Sequence, residues 1–226
     1  EYAVRMHSFD QAMRLDQQLE SGNLTVADMR ELATALARRH GSAAVVAHAK
    51  RTHTVRRAIE QIEENFEPLE GEIERTLLGE IRTWTPQQLH QLEPFLWERF
   101  DGGFFRECHG DLHLGNLVRL PDGITTFDCI EFNDDLRNID VVADLAFLIM
   151  DLAARGEVGL AAHCLNRYLE LTGDYEGMRV FNLYFSYRCL VRAKVDVIRS
   201  LERLETDAGR YDLEEAHRYC RMARQQ

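Results

Sequence analysis

Proline is scarce in this chain, four residues in 226, and no low-complexity stretch interrupts it, so nothing marks a long flexible linker. No internal repeat is visible either. The five cysteines (Cys108, Cys129, Cys164, Cys189 and Cys220) are odd in number, widely spaced and form no C-x-x-C pair. That favours reduced thiols in a reducing compartment, the cytoplasm by default, over a disulfide framework. Long apolar runs are missing: the longest, Val141 to Ala154, is broken by Asp144 and Asp151 and falls short of the roughly 20 residues a bilayer span needs. No membrane segment and no signal peptide are expected. Positive charge is in deficit, 27 basic against 38 acidic side chains for a net charge of −11, which argues against nucleic-acid binding and mildly favours cationic ligands.

What is present is a soluble globular composition, 45% hydrophobic and 29% charged, able to bury a sizeable core. The chain opens on a strand-like run, Glu1 to Met6, without an initiator methionine, and so reads as a piece of a longer protein. Helical spacing follows over Phe9 to Leu19. Thr25 and Asp28 form a capping box ahead of a second helix whose stripe (Met29, Leu32, Ala33, Leu36, Ala37) runs to His40. Val55, Ile59, Ile62 and Phe66 predict a third helix, stopped by Pro68, and residues 70–81 a fourth. Thr85-Pro86 reads as a fresh start, a capping hydroxyl before a first-turn proline, for a helix reaching Phe100.

The middle of the chain changes period. Residues 104–108, 117–120 and 124–127 read as short strands, the last two joined by Pro121-Asp122-Gly123 into a hairpin. Beyond Ile139 helices are expected at about 139–154, 157–172, 176–205 and 213–223, with Gly156 and Gly173 between them. The organisation to explain is a hairpin set in a mostly helical body.

Between two of the strands lies His109-Gly110-Asp111-Leu112-His113-Leu114-Gly115-Asn116, and Asp128 follows at the end of the hairpin. Phosphoryl transfer to an alcohol needs a loop carboxylate to aim the hydroxyl and accept its proton. It also needs hard oxygen donors for Mg²⁺, which one known template for this chemistry draws from an Asn five positions on and an Asp after the next hairpin. Asp111, Asn116 and Asp128 stand at those places. A zinc site from Cys108, His109, Asp111 and His113 is disfavoured because adjacent strand residues point apart. Gly110-Asp111-Leu112-His113 faintly matches the G-D-x-H of binuclear phosphatases, but such a site would need an earlier D-x-H on a strand and a later G-N-H, and the sequence has neither.

The loop, Asp128 and the segment Asp140-Val141-Val142-Ala143-Asp144-Leu145-Ala146 together resemble the aminoglycoside phosphotransferase and choline kinase family. The resemblance is centred on residues 104–150 and weaker elsewhere. It implies an α+β, protein-kinase-like fold, represented mainly by the helical C-terminal lobe with a small catalytic β-hairpin. Residues 1–24 would be a remnant of the N-terminal lobe and residues 25–226 the helical lobe. The implied activity is transfer of phosphate from ATP, with Mg²⁺, to a hydroxyl of a small molecule such as an aminosugar or amino alcohol.

The roles implied by the resemblance are Asp111 as base, Asn116 and Asp128 as metal ligands, and His109 as a brace of the loop. Asp140 or Asp144 would support the loop from the following helix. Arg5 stands where the family places a strand lysine for the nucleotide phosphates, with Asp16 as its partner. Glu131, Asn133 and Asp134 occupy the acceptor-side loop, where a merely solvated acidic loop is the competing reading. Tyr184, Tyr187, Arg188, Arg192 and Lys194 fit either a core helix with a basic face or a substrate lining. The branch it is similar to often joins this domain to a P-loop kinase domain, of which no G-x-x-x-x-G-K-[ST] occurs here. Arg5 and the lack of a glycine-rich loop keep a rival reading open, a catalytically degenerate module that binds nucleotide or a partner.

Overall fold

The computed structural model describes residues 8–203 and 206–226, and among these nine α-helices surround two small antiparallel sheets. The expected strand and nucleotide contact at Arg5 lie outside the described residues. The helix expected over 9–19 is two pieces, a 3-10 turn at Gln11–Met13 and α1 at Leu15–Glu20. Between them Arg14 is extended, because its backbone forms a β-bridge with Val118 of the hairpin.

α2 (Val26–Ser42) begins at the Thr25/Asp28 capping box as its sequence dictates. α3 spans Arg51–Glu63. α4 (Arg75–Asp101) corrects two expectations at once, since the helix started earlier and runs straight through Pro86 and Pro94. An internal proline costs a hydrogen bond and a clash, about 3 kcal/mol. Here Leu77, Leu78, Ile81, Leu89, Leu96 and Phe100 keep one buried stripe in phase across both prolines, and burying those side chains outweighs the loss. Thr85 therefore sits inside the helix, with a buried hydroxyl lacking a partner, instead of capping it.

Two sheets follow. β1 (Phe105–Glu107) pairs with β4 (Asn138–Asp140), and β2 (Leu117–Leu120) pairs with β3 (Gly123–Thr126) through the expected turn. A short α5 (Asp134–Arg137) precedes β4, and β4 takes the first two residues of the helix expected from Ile139, which begins at Val141 instead. On its other edge β1 exchanges backbone bonds with residues 44–46.

α6 (Val141–Ala154) is the centre of the molecule, with thirteen of its residues buried, as an apolar helix on all sides must be. α7 (Val158–Thr172) and α8 (Met178–Glu202) pack against it, α2 lies on α7, and α9 (Asp207–Arg224) runs along α8. No described helix is long and apolar enough to cross a membrane.

Candidate active site

Two aspartates in the otherwise apolar α6 define the site. Seven residues apart and hence on one face, Asp144 and Asp151 are both buried and both accept backbone N–H groups from the loop between β1 and β2. Asp144 takes those of His109 (3.1 Å) and Gly110 (2.9 Å), and Asp151 takes that of Leu114 (2.9 Å). Asp144, not Asp140, is thus the acid under the loop. Asp140 instead caps α6 through Val142 N–H and binds Arg99. Burial pushes the Asp144 carboxyl up, but the hydrogen bond from His40, the charge of that ring and those of His109 and Arg188 overcome it and hold the group at about 2. His40 Nε2 is 3.2 Å from the carboxylate and its Nδ1 is 2.7 Å from the Tyr168 hydroxyl. Cys108 completes a buried trio with His40 and Asp144, and burial pushes its thiol well up, so it stays protonated.

His109 is fully enclosed. Its Nε2–H donates to Phe127 O (2.8 Å) while its Nδ1 accepts from Asp111 N–H (3.3 Å), which fixes the tautomer. The ring ties the loop to the far end of the hairpin. Ile130 N–H donates to His109 O and Phe127 N–H to Asn116 O, both at 3.0 Å, so the residues on either side of Asp128 are clamped to the two ends of the loop. Asp128 is held between them at φ 56°, the one non-glycine residue at positive φ among those described. Aspartate tolerates this left-handed conformation better than most residues, at a cost of about 1 kcal/mol.

Asp111 is partly exposed, with Asn116 Nδ2 donating to both its carbonyl (2.9 Å) and its Oδ2 (3.0 Å). His113 Nε2 lies 3.4 Å from the same Oδ2, while its Nδ1 accepts from Gly115 N–H at 3.1 Å. Burial pushes the Asp111 carboxyl up, yet the His113 hydrogen bond and the charges of His113, Arg188 and Arg192 leave it below the usual range. It is therefore a carboxylate at neutral pH, able to accept a proton.

The donor chemistry beside it suits a hard dication. Among the described residues Asn116 Oδ1 accepts no hydrogen bond, and the exposed Asp128 carboxylate makes neither a side-chain hydrogen bond nor an ion pair. An amide oxygen and a carboxylate are the ligands Mg²⁺ prefers.

The remaining expectations divide. Asp16, expected to face Arg5, is paired with Arg14 at 2.6 Å. Asn133 caps α5 by accepting Asp135 N–H, Asp134 lies 3.7 Å from Lys50, and Glu131 and Phe132 are exposed beside them. Asp135 is paired with His53 and Arg57. Tyr184 is buried against Asp140, and Arg188 donates to the carbonyls of Ala143 (3.1 Å) and Gly110 (3.0 Å). Asp151 and His40 were not anticipated as parts of the site, and Arg188, read as part of a core helix or a substrate lining, is buried and braces the loop through Gly110. Asp151 had a signal in the sequence, a second acid two turns from Asp144 in an apolar helix.

A loop carboxylate, an adjacent amide and a hairpin-end carboxylate, held by a buried helix, are the arrangement of a kinase-like phosphotransferase. The model of the Phosphotransferase enzyme family matches residues 2–181, and the chain belongs to that family, the aminoglycoside phosphotransferase and choline kinase group. Its fold is similar to that of Plasmodium vivax ethanolamine kinase, with a TM-score of 0.53, 11% identity, and coverage of 87% of this chain and 59% of that one. Curated relatives in Mycobacterium tuberculosis and Mycobacterium bovis, both described as uncharacterised proteins, are 35% identical over 101 residues. The match spans 45% of this chain and 20% of each relative's length.

Proposed function

We propose that the chain carries the catalytic loop of a small-molecule kinase that transfers the γ-phosphate of ATP to a hydroxyl group with the help of Mg²⁺. The observation that supports this most is the clamp on both sides of Asp128, which presents a carboxylate and an Asn116 oxygen, both without a side-chain partner among the described residues, at the two ends of one braced loop. Asn116 and Asp128 would hold the metal, which when bound offsets the negative charge of the nucleotide phosphates. Asp111 would accept the hydroxyl proton as the oxygen–phosphorus bond forms and the bond to the ADP oxygen breaks, leaving ADP and a phosphate ester. His109, Asp144, Asp151 and Arg188 hold the loop in place. Work in the cytoplasm and fusion to a P-loop kinase domain belong to the same proposal.

Asp111→Asn tests the reading, because the amide is nearly isosteric but cannot serve as the base. In the full-length protein turnover should fall by about 100-fold or more while Mg·ATP affinity measured by calorimetry is retained. Asp128→Ala should weaken nucleotide binding only when Mg²⁺ is present. Undiminished transfer by Asp111→Asn would remove the proposed base. A wild type that binds Mg·ATP yet phosphorylates no alcohol would leave the degenerate binding module as the better reading.

A further inference from the structure

The phosphotransferase reading leaves the acceptor open, and α8 narrows it. Arg188 pins this helix to the carbonyl of Gly110, the residue before Asp111, at 3.0 Å. One turn further along the same face stands Arg192, displaced by about 5–6 Å. It is half-buried and its Nε is enclosed without a hydrogen-bond partner. Among the described residues no carboxylate comes within ion-pair distance of it, because the acids nearby are engaged elsewhere. Asp151 binds Leu114 N–H and Arg155, Asp196 pairs with Arg199 at 3.6 Å, and Glu215 pairs with Arg218.

The other neighbour is Tyr219, whose ring centre lies 5.9 Å from the Arg192 guanidinium and 5.3 Å from that of Arg218. Burial pushes its phenol up against the pull of both arginines, so it supplies no negative charge near neutral pH. Burial works against the Arg192 charge, but Tyr219, Asp196 and Asp151 outweigh it and raise the pKa, so Arg192 stays a cation that, among the described residues, has no carboxylate in direct contact and can take one from a ligand. Its charge also reaches Asp111. Across the site, Asp134 and Asp135 are already answered by Lys50, His53 and Arg57, which weakens the acidic loop as a seat for a cation.

We propose that Arg192 binds an anionic group on the acceptor, so that the compound phosphorylated at Asp111 is a hydroxyl compound bearing a phosphate or a carboxylate. Arginine's planar fork suits either group, and the anion itself is unchanged by the reaction. The hydroxyl proton passes to Asp111 and ADP leaves, as in any transfer at this loop. This deepens the kinase reading and departs from the aminosugar or amino-alcohol expectation drawn from the family resemblance and net charge.

Four probes of one carbon skeleton separate the cases: glycerol, 3-amino-1,2-propanediol, glycerol 3-phosphate and glycerate, each offered with Mg·ATP to the full-length protein. One or both anionic probes should exceed the neutral and aminated ones by about tenfold or more in kcat/KM. Arg192→Met should abolish that preference through KM with kcat within about twofold, and Arg192→Lys should retain part of it. Better use of glycerol or the amine, or a preference that survives Arg192→Met, would overturn the proposal. If none of the four is phosphorylated, inorganic phosphate titrated against the ¹⁵N-labelled protein decides: a saturable shift of the Arg192 Nε–H signal supports the site, and no shift overturns it. Transfer to glycerol that depends on Asp111 but ignores Arg192 would refute this inference and spare the kinase reading. A phosphate-responsive Arg192 beside an Asp111→Asn variant as active as wild type would do the reverse.

Discussion

Each polar atom of His109 serves the loop: the backbone N–H goes to Asp144, the carbonyl to Ile130 N–H, Nε2–H to Phe127 O and Nδ1 to Asp111 N–H. Removing the ring leaves a buried carbonyl and a buried N–H unpaired next to a cavity, so His109→Ala should cost about 3 kcal/mol and lower turnover as well. His113 is more exposed and its ring closes one short turn, so His113→Ala should cost about 1 kcal/mol or less. Thermal melts that place the two variants in the opposite order would assign the bracing role to the wrong histidine. The same loop makes the protein acid-sensitive. Burial holds the His109 pKa below 6.5, so its contribution is complete above pH 6.5 and is lost as pH falls from there toward the folded value, because only the unfolded chain takes the proton. Asp144, at about 2 against 3.8, contributes fully above pH 3.8 and loses that contribution as pH falls toward 2. The melting temperature should therefore decline in two stages on acidification. A rise between pH 7 and pH 5 would contradict the assignment.

At the scale of elements, the junction of β1 with the loop depends on Gly110. Its φ is +85°, and a Cβ there would stand 2.6 Å from the carbonyl of Leu136, a backbone atom within α5. Gly110→Ala should thus destabilise by about 3 kcal/mol or more. Gly22→Ala, at φ +69° but with nothing near its side, should cost only about 1 kcal/mol, and similar melts for the pair would refute the close approach. Gly110 was visible in the sequence as part of a motif, but its reason was not, since Leu136 lies 26 residues away. The same division runs through the fold. The β2–β3 hairpin was legible because its turn chemistry is local, and α2 because its cap and stripe agree. β4 was not, because three residues carry no period and their partner β1 is distant in sequence. The Thr85-Pro86 signal misled for the opposite reason: a strong local cue yielded to a stripe continuous on both sides of it. Asp111, Asn116 and Asp128 were candidates by their spacing and by the family resemblance, whereas the support from Asp151 and Arg188 required knowing which helix faces lie under the loop.

On the scale of the whole molecule, one side chain joins three regions that sequence keeps far apart. Arg99, near the end of α4, is 2% exposed and forms paired hydrogen bonds to Asp140 (2.5 and 2.8 Å) at the head of α6 and to Asp174 (2.9 and 2.8 Å) ahead of α8. Phe104 lies under its guanidinium at 4.2 Å. Two carboxylates against one cation leave an excess negative charge, which is met by the Val142 and Gly177 N–H groups and the Tyr184 hydroxyl. The cluster sets where α6 begins, and α6 carries Asp144 and Asp151, so the loop between β1 and β2 is positioned through it. Arg99→Met would strand two buried carboxylates and should cost about 3–5 kcal/mol, with loss of the loop's activity in proportion to unfolding. Adding Asp140→Asn and Asp174→Asn keeps both capping acceptors while removing the stranded charge, so the triple variant should recover more than half of that loss. Denaturant titrations of the single and triple variants measure both steps. A single variant within about 1 kcal/mol of wild type, or a triple variant no more stable than the single, would mean that the cluster is not what aligns α4, α6 and α8.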